Sequence, residues 1–257
     1  TPDVVINAAG KAGPWGSPDE YWNDNVLTTE QVISFCNKRG KPRLLLISSA
    51  AVYYRYQHQL NISEQTAIGP EFVSHYARSK YFAEQRLSLY EGEKIILRPC
   101  AVFGEGDTLI FPPLLKAARN KKLPLLISEG APAQGEIMYI DTLCDYLMRA
   151  ATLADFRGCY NISNAESVEI NVFLLKVLER LSLPAPQKTL TVNKAMLIAS
   201  LTERVFGFLK IKREPPITCF GVGVFGFSKT LNVCSALKDL GPPSYTLDEG
   251  VDSFVRY

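Results

Sequence analysis

A chain of 257 residues that is 47% hydrophobic and 21% charged can bury a substantial core, which argues against disorder. Its 28 basic and 26 acidic side chains leave a net charge of +2 without a block of like charge, so nothing points to a nucleic acid or another polyanion as partner. Two histidines (His58, His75) and six scattered cysteines without a CxxC pair leave no metal site, dense disulfide framework or Ser-His-Asp centre to expect.

The cysteine pattern fits a reducing, cytoplasmic setting. No charged-then-apolar leader opens the chain, and the longest uncharged run, PPITCFGVGVFGFS (215–228), is too short and too broken by Gly and Pro to span a bilayer. Contact with a membrane is therefore expected to be peripheral at most.

In chain order, DVVINAA (3–9) is an apolar, β-branched run ending at Gly10, the pattern of a strand buried on both faces of a parallel sheet. The chain starts almost inside this strand, which predicts an N-terminally truncated product. A loop rich in Gly and Pro precedes a helix at about 19–38, closed by Gly40 and Pro42. A strand at 44–47 ends in Ser48-Ser49, a helix follows at about 74–90, and a third strand at 94–97 ends in Arg98-Pro99. This alternation predicts a right-handed parallel βαβαβ unit. Further strands are predicted at 125–127, 137–140 and 159–162. Helices are predicted at 111–120, 141–153, 171–181, 194–209, 235–240 and 247–255. The expected architecture is α/β: a doubly wound, Rossmann-like parallel sheet lacking its first strands, with a smaller interleaved α/β substrate-binding cap. Residues 1–98 would be the remaining part of a dinucleotide-binding domain. Residues 99–257 would be mainly cap, with some elements returning to the sheet.

The residues that point to chemistry are Tyr76 and Lys80 in YARSK (76–80). Four residues apart on a helix, a phenol and an ammonium share a face, about 5–6 Å apart at Cβ. A free tyrosine titrates near 10, about three units too high for proton transfer at neutral pH, and a neighbouring cation would lower it. Spacing alone is weak, because Tyr90 and Lys94 repeat it; there Gly92 interrupts the helix. Position adds weight. Ser48 and Ser49 stand at the carboxyl end of a parallel strand, the edge where open α/β sheets bind ligands, although serines there also cap turns.

The ordered series DVVINAAG (3–10), NDNVLTTE (23–30), LLLISSAAVY (44–53), YARSK (76–80), LRPCAVFGEGD (97–107), MYIDTLCDYL (138–147), GCYNISNAESV (158–168) and SALKDLG (235–241) resembles the extended short-chain dehydrogenase/reductases of the NAD-dependent epimerase/dehydratase superfamily. KAGPWGSPDEYWNDNV (11–26) and REPPIT (213–218) are most similar to its 3β-hydroxysteroid dehydrogenase and 3-ketoacyl reductase branch. The resemblance implies NAD or NADP as cofactor, no metal, and the interconversion of a secondary alcohol and a ketone on a lipophilic, steroid-like or 3-ketoacyl substrate. A homodimer is compatible with it. Tyr76 would be the acid/base, Lys80 would hold the nicotinamide ribose and tune Tyr76, and Ser49 would hold the substrate oxygen. Asn25 would be the relay or structural asparagine. Ala8, Ala9 and Gly10 would pass the cofactor with their backbone, as would Pro99, Ala101 and Val102 at the nicotinamide amide.

By the same resemblance, the Gly-rich pyrophosphate turn would precede Thr1. Neither Gly104-Glu105-Gly106 nor Gly221-Val222-Gly223 replaces it. Tyr54 stands where the family often has glycine. A nucleotide-sugar epimerase or dehydratase is the first alternative; it needs cations for a diphosphate, for which Arg98, Arg119, Lys121 and Lys122 are the candidates. A truncated, non-catalytic binding module is the second. The apolar stripe Leu197, Leu201, Val205 and Phe208 in 193–211 is expected to pack the cap's core, with a substrate lid or membrane-surface contact as the other readings. Phe220, Phe225 and Phe227 among glycines would fill core or line a lipophilic pocket.

Overall fold

A computed structural model describes all 257 residues, Thr1–Tyr257. The first unit of the chain runs β1 (Val4–Asn7), α1 (Pro18–Tyr21), a π-helical segment (Trp22–Leu27), α2 (Thr28–Asn37), β2 (Arg43–Ile47), a 3₁₀ turn (Ala50–Tyr53), β3 (Gln59–Ile62), α3 (His75–Ser88) and β4 (Lys94–Pro99). It continues through β5 (Ala101–Phe103), α4 (Phe111–Arg119), β6 (Pro124–Ile127), β7 (Gln134–Tyr139), α5 (Ile140–Thr152), β8 (Cys159–Ile162), β9 (Ser167–Glu169) and α6 (Ile170–Arg180). The last elements are β10 (Lys188–Thr191), α7 (Val192–Phe208), α8 (Cys219–Gly226), β11 (Lys229–Leu231), α9 (Cys234–Asp239) and α10 (Leu247–Arg256).

Strands β1, β2, β4 and β8 form one parallel sheet in that order. The continuous apolar run of β2 has two destinations, as alternation of side chains across a strand requires. Leu44 and Leu46 pack with Cys36, Ala83, Leu87 and Tyr90, whereas Leu45 joins a second cluster that contains Tyr146, Ala150 and Tyr160. Helices therefore cover both faces, and the fold is a Rossmann-like α/β sheet.

A second sheet has the order β3-β11-β7-β5, all parallel, with β9 added antiparallel to β7. Phe103 centres its core, its ring 5.6 Å from Phe111, 5.9 Å from Tyr139, and 6.1 Å from both Phe173 and Phe254. A parallel pair, β10-β6, lies beside α7 and α8, whose contact is built on Val192, Ala195, Ala199 and Val222.

Two expectations change here. The helix at 19–38 forms, started by Ser17 in a reciprocal capping box with Glu20, but its second turn is π-helical. The stripe on α7 is not core. Leu197, Leu201, Val205 and Phe208 are exposed, and small residues on the opposite face make the packing contact, because Ala195 and Ala199 let α8 approach closely. The Gly-rich run 219–226 is itself a helix, started by Thr218, whose Oγ1 accepts from Gly221 N at 3.0 Å.

Candidate active site

Ile47, Ser48 and Ser49 leave the carboxyl end of β2 in three directions. The Ile47 carbonyl accepts from Lys80 Nζ at 2.9 Å. Ser48 is buried and donates to Glu84. Ser49 stays half-buried, and its Oγ accepts from Ala51 N at 3.2 Å. Strand alternation explains why only one of the adjacent serines faces the site.

Helix α3 starts at Ser74, whose Oγ accepts from Ala77 N at 3.1 Å. That start puts Tyr76 and Lys80 one turn apart on one face. The Tyr76 ring lies between two others, 6.3 Å from Tyr21 and 6.4 Å from Phe220. Burial raises the phenol above its ordinary value, and hydrogen bonding with Ser49 partly offsets the rise. The lowering expected from Lys80 is not what acts on Tyr76: burial raises the phenol, and the one opposing influence is Ser49. Lys80 is only 7% exposed, and burial brings it down to about 8 against the opposing charge of Glu84.

Asn25 sits in the π-helical turn. Its Nδ2 donates to Lys11 O at 3.0 Å and to Ser79 Oγ at 2.7 Å, and Ser79 Oγ donates to Tyr76 O at 2.8 Å. Its Oδ1 is buried with no partner. Gly10, at φ +150°, comes so close that a Cβ there would lie 2.4 Å from Asn25 Oδ1 and 3.5 Å from Lys80 Nζ. A lysine with one of its three protons used, an unpartnered amide oxygen and bare backbone between them suit a hydroxyl-rich ligand such as a ribose. The residues present therefore fit a ribose-bearing cofactor.

The other sequence candidates fall at the same edge or just outside it. Val102 packs on the buried cluster that Tyr76 also flanks, Pro99 ends β4 fully buried, and Ala101 is half-buried. Ala8 and Ala9 are exposed beyond β1, with Ala9 N donating to Asn7 Oδ1 at 3.2 Å. Tyr54 is buried in this cluster as well. A cleft of about 990 Å³ opens beside it, lined among others by Trp15, Phe72, Arg78, Phe206 and Phe220.

Arg98 is not available to a ligand. Its guanidinium makes two hydrogen bonds to the Glu84 carboxylate, Nε to Oε1 at 2.8 Å and Nη2 to Oε2 at 2.6 Å, and a third to Tyr53. Arg119 ends α4, Lys121 and Lys122 follow it, all three are exposed, and none of them lines the cleft.

Residues 1–163 match the NAD dependent epimerase/dehydratase family. The chain belongs to it. A 2-alkyl-3-oxoalkanoate reductase from Stenotrophomonas maltophilia is 29% identical over 97% of this chain and 78% of its own length. The decarboxylating sterol-4-alpha-carboxylate 3-dehydrogenase of Bos taurus is 25% identical over 92% of this chain and 70% of its own. A UDP-glucuronic acid 4-epimerase from Bacillus cereus, solved in complex with NAD, superimposes with a TM-score of 0.69 at 21% identity, covering 99% and 74% of the two chains. The relatives are named as oxidoreductases, and the likeness to the epimerase structure shows the shared fold.

Sequence reasoning missed several members of the site: Tyr21, Ser79, Glu84 and the Ile47 carbonyl. Ser79 and Glu84 sit on the Tyr76/Lys80 helix, three and eight residues beyond Tyr76, so helical spacing was a signal for both. Nothing local marks Tyr21 or Ile47.

Proposed function

We propose that this protein is an NAD(P)-dependent reductase/dehydrogenase that interconverts a ketone and a secondary alcohol on a lipophilic substrate of the 3-oxoacyl or 3-oxosteroid kind. The cofactor, when bound, supplies or takes up the two-electron reducing equivalent. Tyr76 keeps its proton through the neutral range, because burial raises its pKa, and donates it to the substrate oxygen during reduction. Ser49 donates a second hydrogen bond to that oxygen. Lys80, positively charged below about 8, and Asn25 Oδ1 hold the ribose hydroxyls, with Gly10 giving them room.

The observation that carries the substrate class is the setting of Tyr76 between the Tyr21 and Phe220 rings, next to a cleft with Trp15 and Phe206 in its wall. Arg98, one of the four cations the sequence offers for a sugar diphosphate, is consumed by Glu84. The named relatives support the same class, an oxoalkanoate reductase and a sterol dehydrogenase.

The test is a substrate panel read by absorbance of the reduced nicotinamide. A 2-alkyl-3-oxo acid or a 3-ketosteroid should consume the reduced cofactor stoichiometrically. Turnover of a nucleotide sugar without net consumption would reverse the assignment, and no turnover of any of them would favour a non-catalytic binding role.

A further inference from the structure

Helix α7 has two unlike faces. Val192, Ala195 and Ala199 are buried against the cap. On the other side Leu197, Ile198, Leu201, Val205 and Phe208 are exposed, Phe208 at 87%, and Leu209 extends the series. At 100° per residue these six side chains fall within an arc of about 120°.

The charges around that arc are mainly basic, five cations against the exposed Glu129, which accepts from Asn193 Nδ2, and Glu214. Lys194 and Arg204 are the charged residues on the exposed side of α7, and Lys210, Lys212 and Arg213 follow in the next turn, all exposed. The helix's one acid, Glu203, turns inward and accepts from Cys219 N at 2.7 Å. Glu214, two residues beyond Lys212, is the acid nearest to the basic turn in sequence.

We propose that α7 is an interfacial docking helix that lays this outer face on an anionic membrane surface. An apolar arc enters the boundary between headgroups and acyl chains, while the flanking cations meet anionic lipid. The charge pattern selects this occupant over a second copy of the chain: a two-fold contact through the same face would bring the same cations together. At 17 residues α7 is not long and apolar enough to cross a membrane, so it lies on the surface.

Continuity with the cleft gives the surface a purpose. Phe206, Gly207 and Lys210 line the cleft that reaches Phe220, while Phe208, one residue from Gly207, faces outward. Docking through α7 brings the cleft mouth to the lipid, where a lipophilic substrate partitions. This purpose rests on the proposed reductase reading; the docking does not, and it is measured without turnover.

The full chain is mixed with phosphatidylcholine vesicles with or without phosphatidylglycerol and separated by flotation. We expect it to float with the anionic vesicles only and to be released by high salt. Leu201→Ser/Phe208→Ser should weaken binding at least about 10-fold through lost apolar burial, and Arg204→Glu/Arg213→Glu should do so through charge. Both variants should keep wild-type circular dichroism, and the first should keep wild-type turnover of a water-soluble ketone. Absence of flotation, equal flotation with uncharged vesicles, or variants that float like the wild type would overturn the proposal. So would a concentration-dependent dimer in sedimentation velocity that Leu201→Ser/Phe208→Ser dissociates.

Discussion

At Tyr76 burial and hydrogen bonding act in opposite directions, and burial wins, so the resting phenol is a proton donor. Tyr76→Phe removes the donated proton while keeping the ring contacts with Tyr21 and Phe220. Its kcat should fall roughly 10²-fold or more, with cofactor affinity unchanged in a fluorescence titration. Wild-type turnover in that variant would remove Tyr76 from the mechanism. That Tyr76 and Lys80 lie one turn apart on one helix was legible in the sequence from their spacing together with the predicted helix at 74–90. The direction of the pKa shift was not, because desolvation depends on rings brought from residues 21 and 220.

Between elements, the ion pair of Arg98 on β4 with Glu84 on α3 is the strongest polar link beneath the site. Both side chains are below 10% exposed, and the same network takes in Ser48, Tyr53 and Asn161. Glu84→Ala leaves a buried guanidinium without its counter-charge and should cost about 3–5 kcal/mol in urea unfolding. Glu84→Leu combined with Arg98→Met should cost less than Glu84→Ala alone; additive losses would show that desolvation does not dominate the pair. The turn after β1 offers a second test. Gly10→Ala introduces a side chain at positive φ and a Cβ 2.4 Å from Asn25 Oδ1, so it should destabilise the fold by about 1–3 kcal/mol and weaken cofactor binding. Thermal unfolding and titration with reduced nicotinamide cofactor would measure the two effects. The sequence marked Gly10 and Asn25 separately, through small-residue and family patterns. The π-helical turn that brings them together has no sequence signature comparable to a cap or a proline.

Across the whole molecule, two lysines are held in low-dielectric surroundings: burial lowers both Lys80 and Lys229 to about 8, from an ordinary 10.5. Between those values the unfolded chain binds more protons than the folded one, so these groups make stability rise with pH there. Below about 8 both states are protonated, and the cost of burial is felt in full. In Lys229→Met that contribution disappears. Its Tm relative to wild type should therefore decline from pH 8 to pH 10, and a constant difference would refute the shift. Groups common to both proteins cancel in that difference, which makes the contrast, not either curve alone, the informative quantity. By itself the sequence determined the elements with strong periodicity or firm stops. The strands at β1, β2, β4 and β8, and the helices from α3 to α7, α9 and α10, were all readable from apolar runs, caps and Gly/Pro breaks, because hydrogen bonding and capping are local. Strands β3, β5, β9, β10 and β11 were not, being three or four residues long and stabilised by partners distant in the chain. Tertiary structure alone decided that Arg98 is consumed by Glu84 and that the α7 stripe faces outward. Periodicity identifies an apolar face but not its neighbour, and on α7 the small residues Ala195 and Ala199 won the inner position, since they allow the closer approach of α8.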